Sequence, residues 1–218
     1  MYFTPTDSFL VATRFCGAKH RTSLFDIKCL ERSFKKVNLT FDKKTRYITQ
    51  WFNKNDNIIY LIECFSESSV LIYEPFNENI YDTLEVKGDI VSACLSKSEN
   101  GLNDYLVLSS SKPDNIVIVY DLIEKKEIYK INIKSSIFHI ISWSNRYIIV
   151  ADSDNMGFDV IDIYNGQIIS RYVGHNKKGI KCIKKLKIGE NEYLFSGGKD
   201  GFIKMWKNER NFVGEMTI

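Results

Sequence analysis

Proline is scarce, with three in 218 residues, and no low-complexity stretch or charged tail divides the chain. That argues for one folded region rather than domains on an open linker. Cysteine numbers five, at Cys16, Cys29, Cys64, Cys94 and Cys182, scattered with no CxxC or His-Cys cluster. Such spacing excludes a disulfide framework and a zinc site, and no metal or other cofactor is expected. Most of these cysteines read as small core residues in a reducing compartment. Long apolar runs are missing too. Tyr147–Ala151 is typical and far too short to cross a bilayer. The opening MYFTPTDSFL lacks the basic and then apolar pattern of a signal peptide. The expectation is a soluble, cytoplasmic protein with no membrane partner. Charge of one sign is also lacking: 30 basic and 27 acidic residues leave a net charge of +3. Nothing in that balance draws the chain to nucleic acid. No Gly-rich phosphate loop, HExxH or GxSxG motif occurs, so no catalytic residue is assigned and no enzyme is expected.

What the chain does have is aromatic and β-branched residues in short runs bounded by Asn, Asp, Gly, Ser and Lys. Examples are Asn57–Cys64, Ser69–Tyr73, Tyr105–Leu108, Asn115–Tyr120, Tyr147–Ala151 and Phe158–Tyr164. Such runs suit a pleated, half-buried surface. Helical periodicity is weak, and its best stretch, Leu30–Val37, is short. Evenly spaced short strands predict a sandwich, a barrel or a propeller.

Repetition decides among these. Five strands end in an apolar or aromatic residue followed by a polar one: Phe25-Asp26, Tyr73-Glu74, Tyr120-Asp121, Ile161-Asp162 and Trp206-Lys207. Successive pairs lie 41 to 48 residues apart. A period near ~40–45 residues is that of a four-stranded propeller blade. The fold expected is therefore all-β, a propeller of four-stranded antiparallel blades with about five repeats. One domain would cover residues 1–218, in units 1–37, 38–87, 88–134, 135–173 and 174–218. In the fourth unit Ile137–Trp143, Tyr147–Ala151, Phe158–Tyr164 and Gln167–Val173 supply strands a to d.

The last unit holds Gly174-His175, Ile180–Ile183, Leu194–Gly201 with Ser196 and Asp200-Gly201, and Phe202–Trp206. This pattern resembles a WD repeat: a Gly-His pair, an inner strand, a Ser-Gly near an Asp-Gly turn, and a Trp closing strand c. Lys207 stands where that family has Asp. The resemblance implies a hydrogen-bonded chain of His175, Ser196, Asp200 and Trp206, whose work is structural. A Ser-His-Asp set also invites a catalytic reading, but a serine in such a chain is a buried donor and no oxyanion-hole motif accompanies it. Counted back from the strand-c residue, the third repeat offers Ser110, Asp114 and Tyr120 with Gly88-Asp89. The fourth offers Ala151, Asn155 and Ile161, and the second Glu63, Glu67 and Tyr73.

The family usually has about seven blades, and propellers span ~4–8. Five units then favour a fragment or incomplete propeller over a closed five-bladed ring. Open blade edges would invite self-association or completion by a partner. Partners of such propellers dock near the channel, on the d–a and b–c loops. Carried over, that implies exposed positions at Gly179, Lys181 and Lys199, with Phe138 and Asp154 in the fourth unit and Pro113 in the third. The six lysines between Lys177 and Lys187 alternate with apolar residues, as in a strand with one wet face. Trp51 and Trp143 read as core or channel anchors, His20 and His139 as structural or surface residues. The function expected is a scaffold presenting loops to proteins or peptides. The alternatives are an enzyme using the channel, and an RNA-binding propeller.

Overall fold

The computed structural model describes residues 2–3, 9–16, 19–26, 37–41, 43–75, 77, 79–98, 100–111, 114–152, 157–176, 179–209 and 212–217. Before Lys43 and after Trp206 it describes backbone alone. Twenty strands form five four-stranded antiparallel sheets among the described residues. Sheet 1 is β1 (Tyr2–Phe3), β2 (Phe9–Cys16), β3 (Lys19–Asp26) and β4 (Val37–Phe41). Sheet 2 is β5 (Thr45–Asn53), β6 (Ile58–Phe65), β7 (Ser69–Tyr73) and β8 (Ile80–Glu85). Sheet 3 is β9 (Asp89–Lys97), β10 (Asp104–Ser111), β11 (Ile116–Asp121) and β12 (Lys126–Asn132). Sheet 4 is β13 (Ile137–Ser142), β14 (Tyr147–Asp152), β15 (Gly157–Asp162) and β16 (Ile168–Val173). Sheet 5 is β17 (Ile180–Ile188), β18 (Asn191–Gly198), β19 (Ile203–Glu209) and β20 (Phe212–Thr217). Each sheet is a plain meander whose sequence neighbours are its spatial neighbours, which is the make-up of a propeller blade. Of the short helical stretch, Val37 opens β4 and Leu30–Lys36 lies outside the described residues.

The chain divides into two compact units, Met1–Ile90 and Val91–Ile218. In the second, sheet 4 is a middle layer. Val107, Val117 and Val119 of sheet 3 meet Ile140, Ile148, Val150 and Ile161 on one of its sides. Its other side gives Ile149, Phe158 and Val160 to Ile183, Leu194 and Trp206 of sheet 5. All six residues of β15 are buried because successive side chains go to opposite faces and both faces are covered. The outer strand β16 is exposed or half-buried throughout, since it borders solvent. In the first unit Trp51 stacks on Tyr60 at 5.4 Å and meets the edge of Tyr81 at 5.3 Å.

The acidic residue that marks the repeat has a local job. Asp121 accepts the Ile123 and Glu124 amides at 2.9 Å, which closes the turn from strand c to strand d. Its other oxygen accepts from Asn103 Nδ2 at 2.5 Å, tying in the a–b loop. Asp162 repeats this with the Tyr164 amide at 2.9 Å and Arg146 Nε at 2.8 Å. Both carboxylates are buried, with about 1% of their surface exposed. Each is fully partnered by these donors, which is what lets a charge sit there.

Three details of the repeat alignment are corrected by the backbone. A ladder irregularity falls just before Tyr73, Tyr120 and Ile161, which fixes those residues as equivalent. Across the b–c ladder Tyr120 pairs with Leu106, Ile161 with Ile148 and Trp206 with Leu194. Two residues further along strand b, the counterparts of Ser196 are Leu108 and Val150, not Ser110 and Ala151. The b–c hairpins differ in length, so counting back by a fixed number drifts. Gly88 likewise matches Gly179 rather than Gly174. Both have positive φ, 91° and 68°, and both stand one residue before an inner strand. Finally, β17 is not a strand with one wet face. From Lys184 to Ile188 every residue is exposed, Leu186 and Ile188 at 51% each.

Candidate functional site

Sheet 5 is locked by a run of donors in one direction. Trp206 Nε1 donates to Ser196 Oγ at 2.8 Å. The Ser196 hydroxyl lies 2.8 Å from His175 Nε2, and His175 Nδ1 lies 3.1 Å from both Asp200 oxygens. With indole at one end and carboxylate at the other, only one assignment satisfies every member: Ser196 donates to Nε2, and Nδ1–H donates to Asp200. Asp200 also accepts the Asn176 amide at 2.9 Å and the Phe202 amide at 3.2 Å. Its partial burial would raise the carboxyl pKa. The Asn176 amide, the imidazole and the Phe202 amide outweigh that and hold it at about 2. The chain therefore ties β18 to β19 through Ser196–Trp206, and both to the loop before β17 through His175.

Two glycines make room for it. A Cβ at Gly174 would strike the Trp206 ring, and one at Gly198 would strike the His175 imidazole. The Gly-His and Ser-Gly-Gly segments are thus steric consequences of burying a Trp and a His against backbone. Ser196 has no exposed surface and Trp206 about 1%. The Ser196 oxygen already accepts from an indole, so the Ser-His-Asp set has the geometry of a tie and not of an exposed nucleophile.

Sheet 2 has a related lock. At the position of Ser196 stands Glu63, fully buried, which accepts from Tyr73 Oη at 3.1 Å and from Thr45 Oγ1. Tyr73 is the equivalent of Trp206, so the same two strands are tied by different chemistry. Burial first, and then the Glu63 carboxylate, push the Tyr73 phenol pKa up. In sheet 4 the equivalent pair, Val150 and Ile161, is apolar and buried.

Two of the residues expected on a docking face, Phe138 and Lys181, come together across sheets 4 and 5. Lys181 Nζ sits 5.1 Å from the centre of the Phe138 ring. Both residues occupy a bulge at the start of an inner strand, between Ile137 and His139 and between Ile180 and Cys182. A bulge adds one unpaired residue and re-aims its side chain. That is why these two leave the ladder and meet across neighbouring sheets. Both are half-buried. Arg46, between Thr45 and Tyr47, holds the same bulge position in sheet 2 and is exposed. Sequence reasoning missed it; the signal available was its place as the second residue of an inner strand. Lys199 is exposed on the b–c turn, and its amide donates to the Gly179 carbonyl at 3.2 Å. Gly179, expected to be exposed, is buried. Its left-handed φ turns the loop into the bulge beneath Lys199. Asp154, Asn155, Pro113, Lys177 and Lys178 lie outside the described residues.

The inner strands of sheets 3 and 4 are also stitched by polar groups, among them His139, expected to be structural or on the surface. Ser92 Oγ lies 3.0 Å from His139 Nδ1 and accepts the Ile140 amide at 3.2 Å. Ser142 Oγ donates to Ser96 Oγ at 3.3 Å. Burial, followed by the positive charge of Lys184, lowers the His139 pKa below its ordinary value. Trp143 is buried, and its carbonyl accepts from Lys185 Nζ at 3.1 Å. Of the cysteines, Cys64 and Cys94 are buried core residues, while Cys182 is exposed. The side chains of Cys16, Cys29 and His20 lie outside the described residues. Among the described residues no group of three His, Cys, Asp or Glu side chains could hold a metal ion. No helix there is long and apolar enough to cross a membrane.

These sheets are all-β, antiparallel and four-stranded, as propeller blades are, and they fit blades of the WD-repeat type. No family model matches the chain. It is similar to transcription factor unc-37 of Caenorhabditis elegans, with 26% identity over 148 residues, or 67% of this chain. The match takes in 22% of that protein's length, so the chain spans about a fifth of its relative.

Proposed function

We propose that this chain is a WD-repeat scaffold that binds other proteins through the bulge residues and b–c turns of its blades, without catalysis. The observation that carries the reading is the Lys181–Phe138 contact, a cation held over an aromatic ring across two neighbouring sheets. Beside it stands exposed Lys199 on a turn braced by Gly179. A fixed cation with an aromatic surface suits a peptide or domain that offers carboxylates around an apolar anchor. The locks in sheet 5 support this, because a rigid mount spares the binding site an ordering cost. Likeness to a transcription factor supports seeking that partner among proteins of transcription.

The test is selection from a displayed library of random peptides on the full chain, then titration of the enriched peptides. Acidic peptides with an apolar anchor should emerge. Phe138→Ser and Lys181→Ala should weaken them by ~5–30-fold, on the scale of a hot-spot residue. Lys126→Ala, on an outer strand, should leave them unchanged. Peptides indifferent to Phe138 and Lys181 would remove the reading. Tight, steeply salt-dependent binding of an oligonucleotide pool instead would favour the RNA alternative.

A further inference from the structure

His139 stands beside the docking residues in a state that a partner's charge can change. It follows Phe138 in the bulge of β13, and both stand opposite Ala151 in the ladder. Its Nδ1 lies 3.0 Å from Ser92 Oγ. That hydroxyl accepts the Ile140 amide at 3.2 Å, so its own hydrogen is directed at Nδ1. The ring is then neutral and carries its proton on Nε2. A second proton would land on Nδ1 and cost Ser92 its acceptor, and Ser92 is only 2% exposed.

Charge reaches the ring from β17. That strand brings Lys184, whose positive charge acts on the imidazole, and Lys181, which holds the Phe138 ring. β9 presents neutral Ser92, with Asp89 and Lys97 at its exposed ends. β14 sets Ala151 opposite His139, and its buried Asp152 lies across from Ile137. Burial first and Lys184 second lower the His139 pKa from its ordinary value. Burial and the Ser92 bond are fixed by the packing of sheets 3 and 4. The Lys184 repulsion is not fixed. That side chain is exposed on β17, and a carboxylate paired with it would cancel its effect on the ring.

We propose that docking at this surface is coupled to protonation of His139: an acidic partner seated on Phe138, Lys181 and Lys184 draws a proton onto the ring and is held more tightly as pH falls. The inference rests on the docking reading and adds a regulation to it. A basic partner would add to the repulsion from the two lysines, whereas an acidic one relieves it. Bound carboxylates favour the imidazolium, so the complex keeps its proton to higher pH than the free chain does. Lowering pH through that interval therefore favours the complex. A rise of about half to one pH unit in the His139 midpoint corresponds to about 3–10-fold in affinity.

The experiment is fluorescence-anisotropy titration of the full chain with a labelled, capped peptide of one phenylalanine flanked by glutamates. It runs from about pH 8 to about pH 5.5, where the glutamates stay ionised. Affinity should rise by about 3–10-fold as pH falls. His139→Asn keeps an acceptor for Ser92 but cannot titrate, so its profile should be flat. By NMR, the His139 ring should titrate at higher pH with the peptide bound. In the free chain Lys184→Met should raise the same midpoint by about half a pH unit. An affinity that needs Phe138 and Lys181 but ignores pH overturns this inference and leaves the docking reading standing. Equal pH profiles for the unaltered chain and His139→Asn overturn it as well, as does a midpoint unmoved by Lys184→Met. A peptide that fails to bind at any pH removes the docking reading and this coupling together.

Discussion

Trp206 Nε1 and His175 Nε2 reach the same oxygen, Ser196 Oγ, each at 2.8 Å. Ser196→Ala would leave an indole N–H and an imidazole nitrogen buried without that partner. The expected cost is about 1–3 kcal/mol, because the desolvation penalty of an orphaned polar group exceeds the net worth of the bond it lost. His175→Ala should cost a similar amount. Urea unfolding followed by Trp fluorescence checks both, and an unchanged midpoint would show that the chain carries no stability.

In sheet 2 the same two strands meet through Tyr73 and Glu63. Tyr73→Phe should destabilise by about 1–3 kcal/mol, since it removes a donor from a buried carboxylate. Adding Glu63→Leu should recover part of the loss, because sheet 4 already runs an apolar pair, Val150 and Ile161, at these positions. Chemical denaturation of the single and double variants gives the sign.

Two groups make stability depend on pH at the acidic end. The Asp200 pKa is held at about 2, below its ordinary 3.8. The unfolded chain therefore takes up this proton first, and the stability Asp200 gives is complete above about pH 4 and lost as pH falls toward 2. His139 also has a lowered pKa, against an ordinary 6.5, so its contribution is complete above that value and fades below it. Melting temperature against pH should fall in two stages. Asp200→Asn should erase the lower one and His139→Asn the upper one.

The strand-c aspartates close turns, so their loss should be local and specific. Asp121→Ala removes the acceptor for two backbone amides and Asn103. About 1–3 kcal/mol is expected, the cost of leaving buried donors without their acceptor. Hydrogen exchange should quicken at Ile123 and Glu124 before it does in β14. Uniform quickening would mean that the turn is no separate element.

Blade architecture was legible because it depends on local pattern. Ser69–Tyr73 is β7 to the residue, and Tyr147–Ala151 falls within β14. The apolar-then-acidic mark at Tyr120-Asp121 and Ile161-Asp162 was visible because each turn needs its carboxylate at a fixed place. The alignment of strand b was less legible. Hairpin length varies between repeats, so Ser110 and Ala151 were paired with Ser196 when Leu108 and Val150 share its register. Gly88 was matched to Gly174 for the same reason, a difference in loop length. The Glu63–Tyr73 bond was hidden because nothing in a sequence shows which buried acid faces which phenol.

By itself the sequence determined the strands and their grouping in fours, since these follow from side-chain alternation, turn chemistry and a repeated period. Tertiary structure decided the rest. Bulges at the starts of β13 and β17 brought Phe138 and Lys181 together, a displacement of one residue that composition cannot encode. The stacking of sheets decided that β15, in the middle layer, is buried throughout while β16 at its side is not. Both strands are rich in apolar residues, and only the neighbours' presence separates core from surface.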